Sequence, residues 1–443
     1  MSFNLLNYSF SIQNYPIIEA QKELVLIQNN HSNNPGPYQE NKKWEIFNHH
    51  IRKNKVYKNF IQNYKINDWT DIPVLTKKDI QVPLIDRLTE GYSIKNCHCH
   101  NTSGSSGTPF YFAKDKFCHA MSWAIIQNRF GWHDIEIGKD LQARFYGIPL
   151  TKSKYYKEKL KDFLAKRIRF SVFDLSDSVL EKYTIVFNNH PFTYINGYTS
   201  SLVLFSKYLV KNNLILKVIC PTLKVVFATS EICDDFDKHI MEKGFGVKVV
   251  NEYGAAELDL IAFEDSVSNW LVNYETLFIE ILNHQNKPVQ EGEQGKVVIT
   301  SLYNKAMPFI RYELGDMALL TNISKGPYKV LKNVVGRTND IAILPSGKKS
   351  PGLTFYYISK TLLEGGGFMK EFIIKQKALN HFHLEYLAER EITESEKNKV
   401  KEAMNIYLEP GLEISFQRKE HIERTKAGKL KHFFSELESV YPK

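Results

Sequence analysis

The chain has 443 residues, 43% of them apolar, and its 58 Lys and Arg against 49 Asp and Glu give a formal net charge of +9. That length is more than one hydrophobic core serves and predicts two or three domains. The basic residues are scattered without a long Lys/Arg block, which disfavours nucleic-acid binding and suits an anionic small substrate. Five cysteines, odd in number and irregularly spaced, argue against a disulfide framework and for a reducing, cytoplasmic setting. The start, Met1-Ser2-Phe3-Asn4, lacks the basic-then-apolar order of a signal peptide. No stretch reaches the roughly 20 apolar residues of a membrane span.

Residues 1–40 are polar and Asn-rich, with a Pro-Gly-Pro turn at 35–37, and predict an irregular start with one helix over Ile17–Ile27. Lys42–Tyr64 carries Trp44, Phe47, Ile51, Tyr57, Phe60, Ile61 and Tyr64 at helical spacing and predicts one helix. Thr76, with Asp79 three residues on, reads as a helix N-cap near a capping box. Cys97-His98-Cys99-His100 invites a zinc site, but the types alternate. On a strand the two Cys point one way and the two His the other. Metal spacings normally leave two to four residues between Cys ligands, so an ordinary strand is expected.

Next comes Asn101-Thr102-Ser103-Gly104-Ser105-Ser106-Gly107-Thr108-Pro109, followed by the aromatic run Phe110-Tyr111-Phe112. Strand, loop and strand describe a fixed hairpin rather than a Gly/Ser tether. Glycines let the backbone approach a ligand closely, successive backbone N–H groups make an anion-binding concavity, and the hydroxyls add donors. This chemistry suits nucleotide phosphates, although it is neither G-x-x-x-x-G-K-[ST] nor G-x-G-x-x-G.

Phe117–Arg129 reads as helix. From Phe145 to Glu252 strands and helices alternate, with strands at 142–148, 168–173, 193–197, 223–228 and 247–252 and helices at 152–166, 177–186, 200–212 and 233–243. That order predicts a parallel α/β sheet, with ligands at the carboxyl ends of its strands. After 260 short strands take over at 277–282, 295–301, 317–321 and 328–331. Beyond a boundary at Gly336–Asp340 a small α+β segment is expected: strands at 341–344, 371–376, 382–387 and 412–417, a helix near Thr354–Leu363, and a helix over Glu394–Leu408 with Thr393 as its N-cap.

Four further motifs follow the loop in order: Glu252-Tyr253-Gly254-Ala255-Ala256-Glu257, Met307 through Asp316 with Arg311-Tyr312 ahead of Gly315-Asp316, Gly336-Arg337-Thr338-Asn339-Asp340, and Arg424-Thr425-Lys426-Ala427-Gly428-Lys429-Leu430. The set resembles the adenylate-forming superfamily. With Ile72-Pro73-Val74-Leu75-Thr76-Lys77 ahead of the loop and the short length, it is most similar to phenylacetate–CoA ligase and its CapK-like capsule-biosynthesis relatives, over roughly 60–440.

The resemblance implies an α/β fold: a large N-terminal adenylation domain, 1–336, with a parallel core at about 100–260 and a β-rich part at 261–336, and a small mobile α+β domain, 337–443. It implies that Thr102, Ser103, Gly104, Ser105, Ser106 and Gly107 hold the β- and γ-phosphates of ATP. Tyr253 would stack on adenine, beside Glu252 and Gly254. Glu257 would coordinate Mg²⁺, a hard cation that prefers oxygen. Asp316 would accept both ribose hydroxyls, and Arg337 would contact the ribose or α-phosphate. Thr229 and Ser230 would line the adenine and acyl pocket, a looser match in which Ser230 reads equally well as a helix N-cap. Lys429 would be the catalytic lysine bridging acyl carboxylate and α-phosphate. Asn339 and Asp340 would form the hinge, Asn339 replacing an Asp common in relatives. Phe145, Tyr146, Tyr194 and Tyr198 are placed near the acyl pocket.

The implied reaction is carboxylate activation through an acyl-adenylate, then transfer to coenzyme A. An amine acceptor in polysaccharide or secondary-metabolite biosynthesis, or a carrier thiol, are the alternatives. A scaffold that binds nucleotide without chemistry is the reading from another class, and the presence of Glu257, Asp316, Arg337 and Lys429 together argues against it. Dimers occur among such ligases, so a homodimer is one expected assembly.

Overall fold

The computed structural model describes residues 4–80, 82–102, 110–147, 152–231, 233, 235–283, 285–290, 292–335, 341–351, 354–355, 358, 369–388, 390–420, 422 and 433–437. The chain opens with four helices, where the sequence predicts fewer: α1 (Leu5–Ile12), α2 (Ile17–His31), α3 (Gly36–Lys53) and α4 (Lys55–Ile61). Asn favours helix only weakly, and here the polar side chains are used in place. Asn4 caps α1 by accepting from the Leu6 and Asn7 N–H groups. The amides of Gln21, Gln127 and Asn7 are linked by two hydrogen bonds of 2.7 Å that tie α1 and α2 to a later helix, α6 (Lys116–Gly131). The single helix expected over Lys42–Tyr64 is broken at Asn54. That residue is extended (φ −114°, ψ 108°), and its side chain accepts from the Tyr57 N–H at 2.9 Å to cap α4. Thr76 does not start a helix. Its N–H and hydroxyl both donate to Asp79, closing a turn ahead of the short α5 (Leu84–Arg87).

The expected hairpin is present. β1 (Cys97–Asn101) pairs antiparallel with β2 (Tyr111–Asp115), Asn101 opposite Tyr111. Alternation along β1 sends His98 against His119 of α6, rings stacked at 3.7 Å, and His100 to the same side. Cys97 and Cys99 lie on the other.

The strand–helix alternation folds as read. β3 (Gln142–Phe145), β4 (Arg167–Phe170), β5 (Tyr194–Tyr198), β6 (Val225–Thr229) and β7 (Lys248–Ala255) pair in parallel, in the order β4-β3-β5-β6-β7. Between them run α7 (Lys152–Leu164), α8 (Asp177–Asn189), α9 (Thr199–Lys211), the short α10 (Leu216–Ile219) and α11 (Asp235–Phe245). The sheet is covered on both faces, which is why its strands read as apolar runs. On one face Ala143, Phe145, Ile195, Val226 and Val249 join Phe187, Phe205 and Phe245 in a single core. On the other, Phe130 of α6 meets Phe227 at 4.1 Å and Tyr194 at 5.8 Å.

The antiparallel continuation is β8 (Asp259–Glu264), β9 (Trp270–Val272), β10 (Leu277–Leu282), β11 (Gly295–Ser301), β12 (Tyr312–Lys325) and β13 (Tyr328–Val335), and the eleven strands form one sheet in the order β10-β11-β12-β13-β9-β8-β7-β6-β5-β3-β4. A small hairpin, β14 (Ile341–Ile343) with β15 (Lys349–Pro351), leads to a separate four-stranded sheet built from β16 (Met369–Gln376), β17 (His381–Ala388), β18 (Glu413–Arg418) and β19 (Phe433–Ser435), with α12 (Glu394–Tyr407). Thr393 caps α12 in a full capping box with Glu396. This segment packs back on the parallel half through an apolar seam where Tyr407 meets Phe173 edge-on at 4.6 Å, and the Ser350 hydroxyl donates to the Phe173 carbonyl.

Among the described residues no helix is long and apolar enough to cross a membrane, and no three His, Cys, Asp or Glu side chains are grouped to hold a metal ion.

Candidate active site

The candidate residues gather where β5, β6 and β7 end and β12 begins. Register places Tyr198 beside Thr229 and Thr229 beside Glu252, all at the carboxyl edge of the parallel strands. The Thr229 hydroxyl donates to Glu252 at 2.8 Å, and burial raises the Glu252 carboxyl above its usual range despite that bond. Ser230 takes a left-handed conformation (φ 70°) and is exposed; α11 starts only at Asp235, so Ser230 turns the chain away from the strand rather than capping the helix.

Beyond Glu252 the chain continues as β7 and reverses into β8. Gly254 sits where a Cβ would lie 2.6 Å from the Asp259 carbonyl oxygen, so the glycine is a packing demand of that reversal. The Tyr253 hydroxyl donates to Asp316 at 2.9 Å, bringing together the residues assigned separately to adenine and to ribose. Gly315, at φ 90°, makes the kink that precedes Asp316 within β12.

Glu257 is not a solvated turn residue. It is 3% exposed and takes two contacts on Oε1: the Tyr312 hydroxyl at 3.0 Å and the Lys77 ammonium at 3.4 Å. Lys77 reaches it because the segment before it docks on β12. The Leu75 N–H donates to the Arg311 carbonyl at 2.9 Å, and the Glu313 N–H donates to the Leu75 carbonyl at 2.8 Å. Arg311 is itself buried. It donates to the Thr70 and Ile72 carbonyls at 2.9 and 2.5 Å and pairs with Glu280 at 3.2 Å, pinning this segment down. Sequence reasoning used both motifs as family markers and missed what they do together. Lys77 and Glu257 lie far apart in the chain, and no local pattern joins them.

Thr102 closes the neck of the hydroxyl-rich loop. Its N–H donates to the Phe110 carbonyl at 2.9 Å and its hydroxyl accepts from the Phe110 N–H at 3.2 Å. Ser103, Gly104, Ser105, Ser106 and Gly107 lie outside the described residues, as do Arg337, Asn339, Asp340 and Lys429. Of the four aromatics placed near the acyl pocket, two are elsewhere. Phe145 points to the opposite face and stacks on Phe170 at 4.8 Å, and Tyr194 lies at the start of β5 against Phe130. Tyr146 and Tyr198 do stand together at the carboxyl edge, rings 4.5 Å apart.

No family model matches the chain. Over 122 residues it is 31% identical to the phenylacetate-coenzyme A ligase of Thermus thermophilus, a stretch covering 24% of this chain and 25% of that protein. The Escherichia coli ligase of the same name is 25% identical over 112 residues, with the same coverage. The match therefore spans about a quarter of the length of these relatives. In three dimensions the likeness in fold extends over nearly the whole chain. A 2-hydroxyisobutyryl-CoA ligase with 2-HIB-AMP and CoA in its thioesterification state superposes with a TM-score of 0.58 at 17% identity, covering 90% of this chain and 89% of that one. Its open conformation gives 0.54 at 16%, covering 89% and 90%.

Proposed function

We propose that this chain, which has the fold of the AMP-forming CoA ligases, activates a carboxylic acid as an acyl-adenylate and passes the acyl group to coenzyme A. The observation that carries the proposal is the convergence of Thr229 with Glu252, Tyr253 with Asp316, and Glu257 with Lys77 at one edge of the parallel sheet, where such sheets bind ligands.

In this reading the Tyr253 ring covers the adenine and Asp316 exchanges its bond from Tyr253 for the ribose hydroxyls. The loop from Thr102 to Gly107 receives the β- and γ-phosphates. Glu257 fits Mg²⁺: it is a carboxylate with both protein contacts on one oxygen, and Mg²⁺ is commonly held by one or two carboxylates together with substrate phosphates. Bound there, the ion would neutralise phosphate charge. A carboxylate oxygen of the acid attacks the α-phosphorus, and pyrophosphate leaves. Lys429 and Arg337 stabilise the charge that builds in that step. The segment 337–443 then pivots about Asn339 and Asp340, and the CoA sulfur attacks the acyl carbon. AMP leaves, and the thiol proton goes to solvent.

The test is carboxylate-dependent ATP–pyrophosphate exchange across aryl, fatty, hydroxy and amino acids without acceptor, followed by trials of CoA and amines as acceptors. Exchange that disappears in Lys429→Ala supports the reading. ATP binding without exchange for any acid points to the scaffold, and absence of both sinks the proposal.

A further inference from the structure

Arg144 is a cation with no ion-pair partner among the described residues. It lies on β3 with Gln142, on the sheet face that also carries Asn196, Tyr198 and Thr229, and it is directly across from Asn196. Its neighbours on β4 are all satisfied. Arg167 pairs with Asp162 at 2.5 Å, and Arg169 pairs with Asp162 at 2.9 Å and Glu158 at 2.8 Å, both carboxylates belonging to α7. Arg144 has no ion pair and no hydrogen bond among the described residues. Its Nε is fully buried and unpartnered, and its guanidinium rests on the Tyr146 ring at 4.1 Å. Asn196 does not serve it, donating instead to the Phe227 carbonyl. The groups that feel its charge are Arg167, Tyr194 and Glu252. Arg167 repels it, the Tyr194 hydroxyl is buried without a partner among the described residues, and Glu252 attracts it without coming within ion-pair distance, its Oε1 accepting from Thr229.

A buried guanidinium N–H without an acceptor is costly, because it has lost water, and the Tyr146 ring beneath it offers no acceptor oxygen in return. Its fork suits a carboxylate bound through two oxygens. Arg144 sits one layer below the Tyr146–Tyr198 pair, toward the floor of the same face, where the tail of an acid activated at the carboxyl edge would end. We infer that Arg144 is the specificity-determining residue for the acyl substrate, and that this substrate is a carboxylic acid carrying a second carboxylate at its far end. Tyr146 shields the pair from water on one side, which strengthens it. This inference rests on the adenylation reading and narrows its substrate class.

The experiment measures ATP–pyrophosphate exchange with matched acids, phenylacetate against 4-carboxyphenylacetate and hexanoate against adipate, in the full chain and in Arg144→Met and Arg144→Lys. The expected result is a kcat/KM at least tenfold higher for the dicarboxylate of each pair. In Arg144→Met the ratio should fall to one or below, and Arg144→Lys should keep part of it. Thermal melts of the three proteins separate a folding defect from a change of preference, and the lysine variant carries the test if the methionine variant does not fold. Exchange that favours the parent acids, or an Arg144→Met that slows both members of a pair equally, overturns the assignment and leaves adenylation standing. No exchange with any acid overturns both.

Discussion

Replacing Glu275 by Ala should cost about 5 kcal/mol of stability. Glu275 is 0% exposed and its ion-pair partner Arg129 is 1% exposed, with Nη2 2.6 Å from the carboxylate. The same carboxylate accepts from Gln28 on α2 at 3.0 Å and from Tyr328 on β13 at 3.1 Å. Arg129 is held between the Trp132 ring at 4.3 Å and the Tyr328 ring at 5.2 Å, so it cannot swing out to solvent. Breaking a buried pair by removing one partner costs about 3–5 kcal/mol, and each neutral donor left behind adds roughly 1 kcal/mol. An unfolding entropy of about 2.1 cal/mol/K per residue, over a chain melting as one unit, turns this into a Tm lowered by about 5 °C. Replacing both partners, as Arg129→Met with Glu275→Leu, should recover most of the loss, because an apolar pair of similar volume has no charge to desolvate. Calorimetric melts of the single and double variants decide it. A Glu275→Ala protein that melts within 1 °C of the parent, or a double variant no better than the single, would refute the reasoning.

Asp316→Asn should raise the KM for ATP by about ten- to a hundredfold, the worth of a charged hydrogen bond of about 1.5–3 kcal/mol; an unchanged KM removes Asp316 from the ribose site. Lys77→Met should leave the buried Glu257 carboxylate without its counter-charge and slow exchange at least tenfold, with Tyr312→Phe a milder case; equal rates in all three proteins would show that the pair is structural only. Stability should fall in mild acid. Burial holds His50 neutral down to about 3 and His98 to about 4, from an ordinary 6.5. Their contribution is therefore complete above pH 6.5. It drains as pH falls toward 4, because the unfolded chain takes up protons that the native chain refuses, at about 1.4 kcal/mol per pH unit for each histidine. Melts of His98→Gln against the parent should converge as pH drops over that range, and parallel curves would contradict the argument.

The parallel half was legible because burial on both faces writes each strand as an apolar run, as in Val225-Val226-Phe227-Ala228, and the helices between carry their own period. Thr393 announced α12 because an N-cap is a local signal, and the structure completes it into a capping box with Glu396. Asn54 hid the break between α3 and α4, since a capping Asn inside a periodic run looks like one more polar position. The N-terminal helices were underread for the opposite reason. Their few apolar residues, such as Leu6, Phe10, Leu24 and Ile27, find a core only against α6, and amides such as Gln21 and Gln127 meet only after folding. At the site, Tyr253, Glu257 and Asp316 stood out through motif order, whereas Lys77 needed Leu75 laid along β12 before its partner could be seen. Phe145 and Tyr194 were assigned by proximity in sequence to strand ends; strand alternation sends the first to the far face, and position within β5 places the second at the wrong end.

The seam between Phe173 and Tyr407 bears on how the protein could turn. Apolar burial has no preferred direction, unlike a lattice of hydrogen bonds that fits in one setting and no other. Among the described residues, polar contacts across it include the Ser350 hydroxyl on the Phe173 carbonyl and Lys348 near Asp174 at 3.9 Å. In the proposed reaction, where this segment pivots between the two steps, such a joint would act as a greased bearing rather than a latch: the turned segment would cover aromatic surface again, and the two orientations would differ in free energy chiefly through what is bound between them.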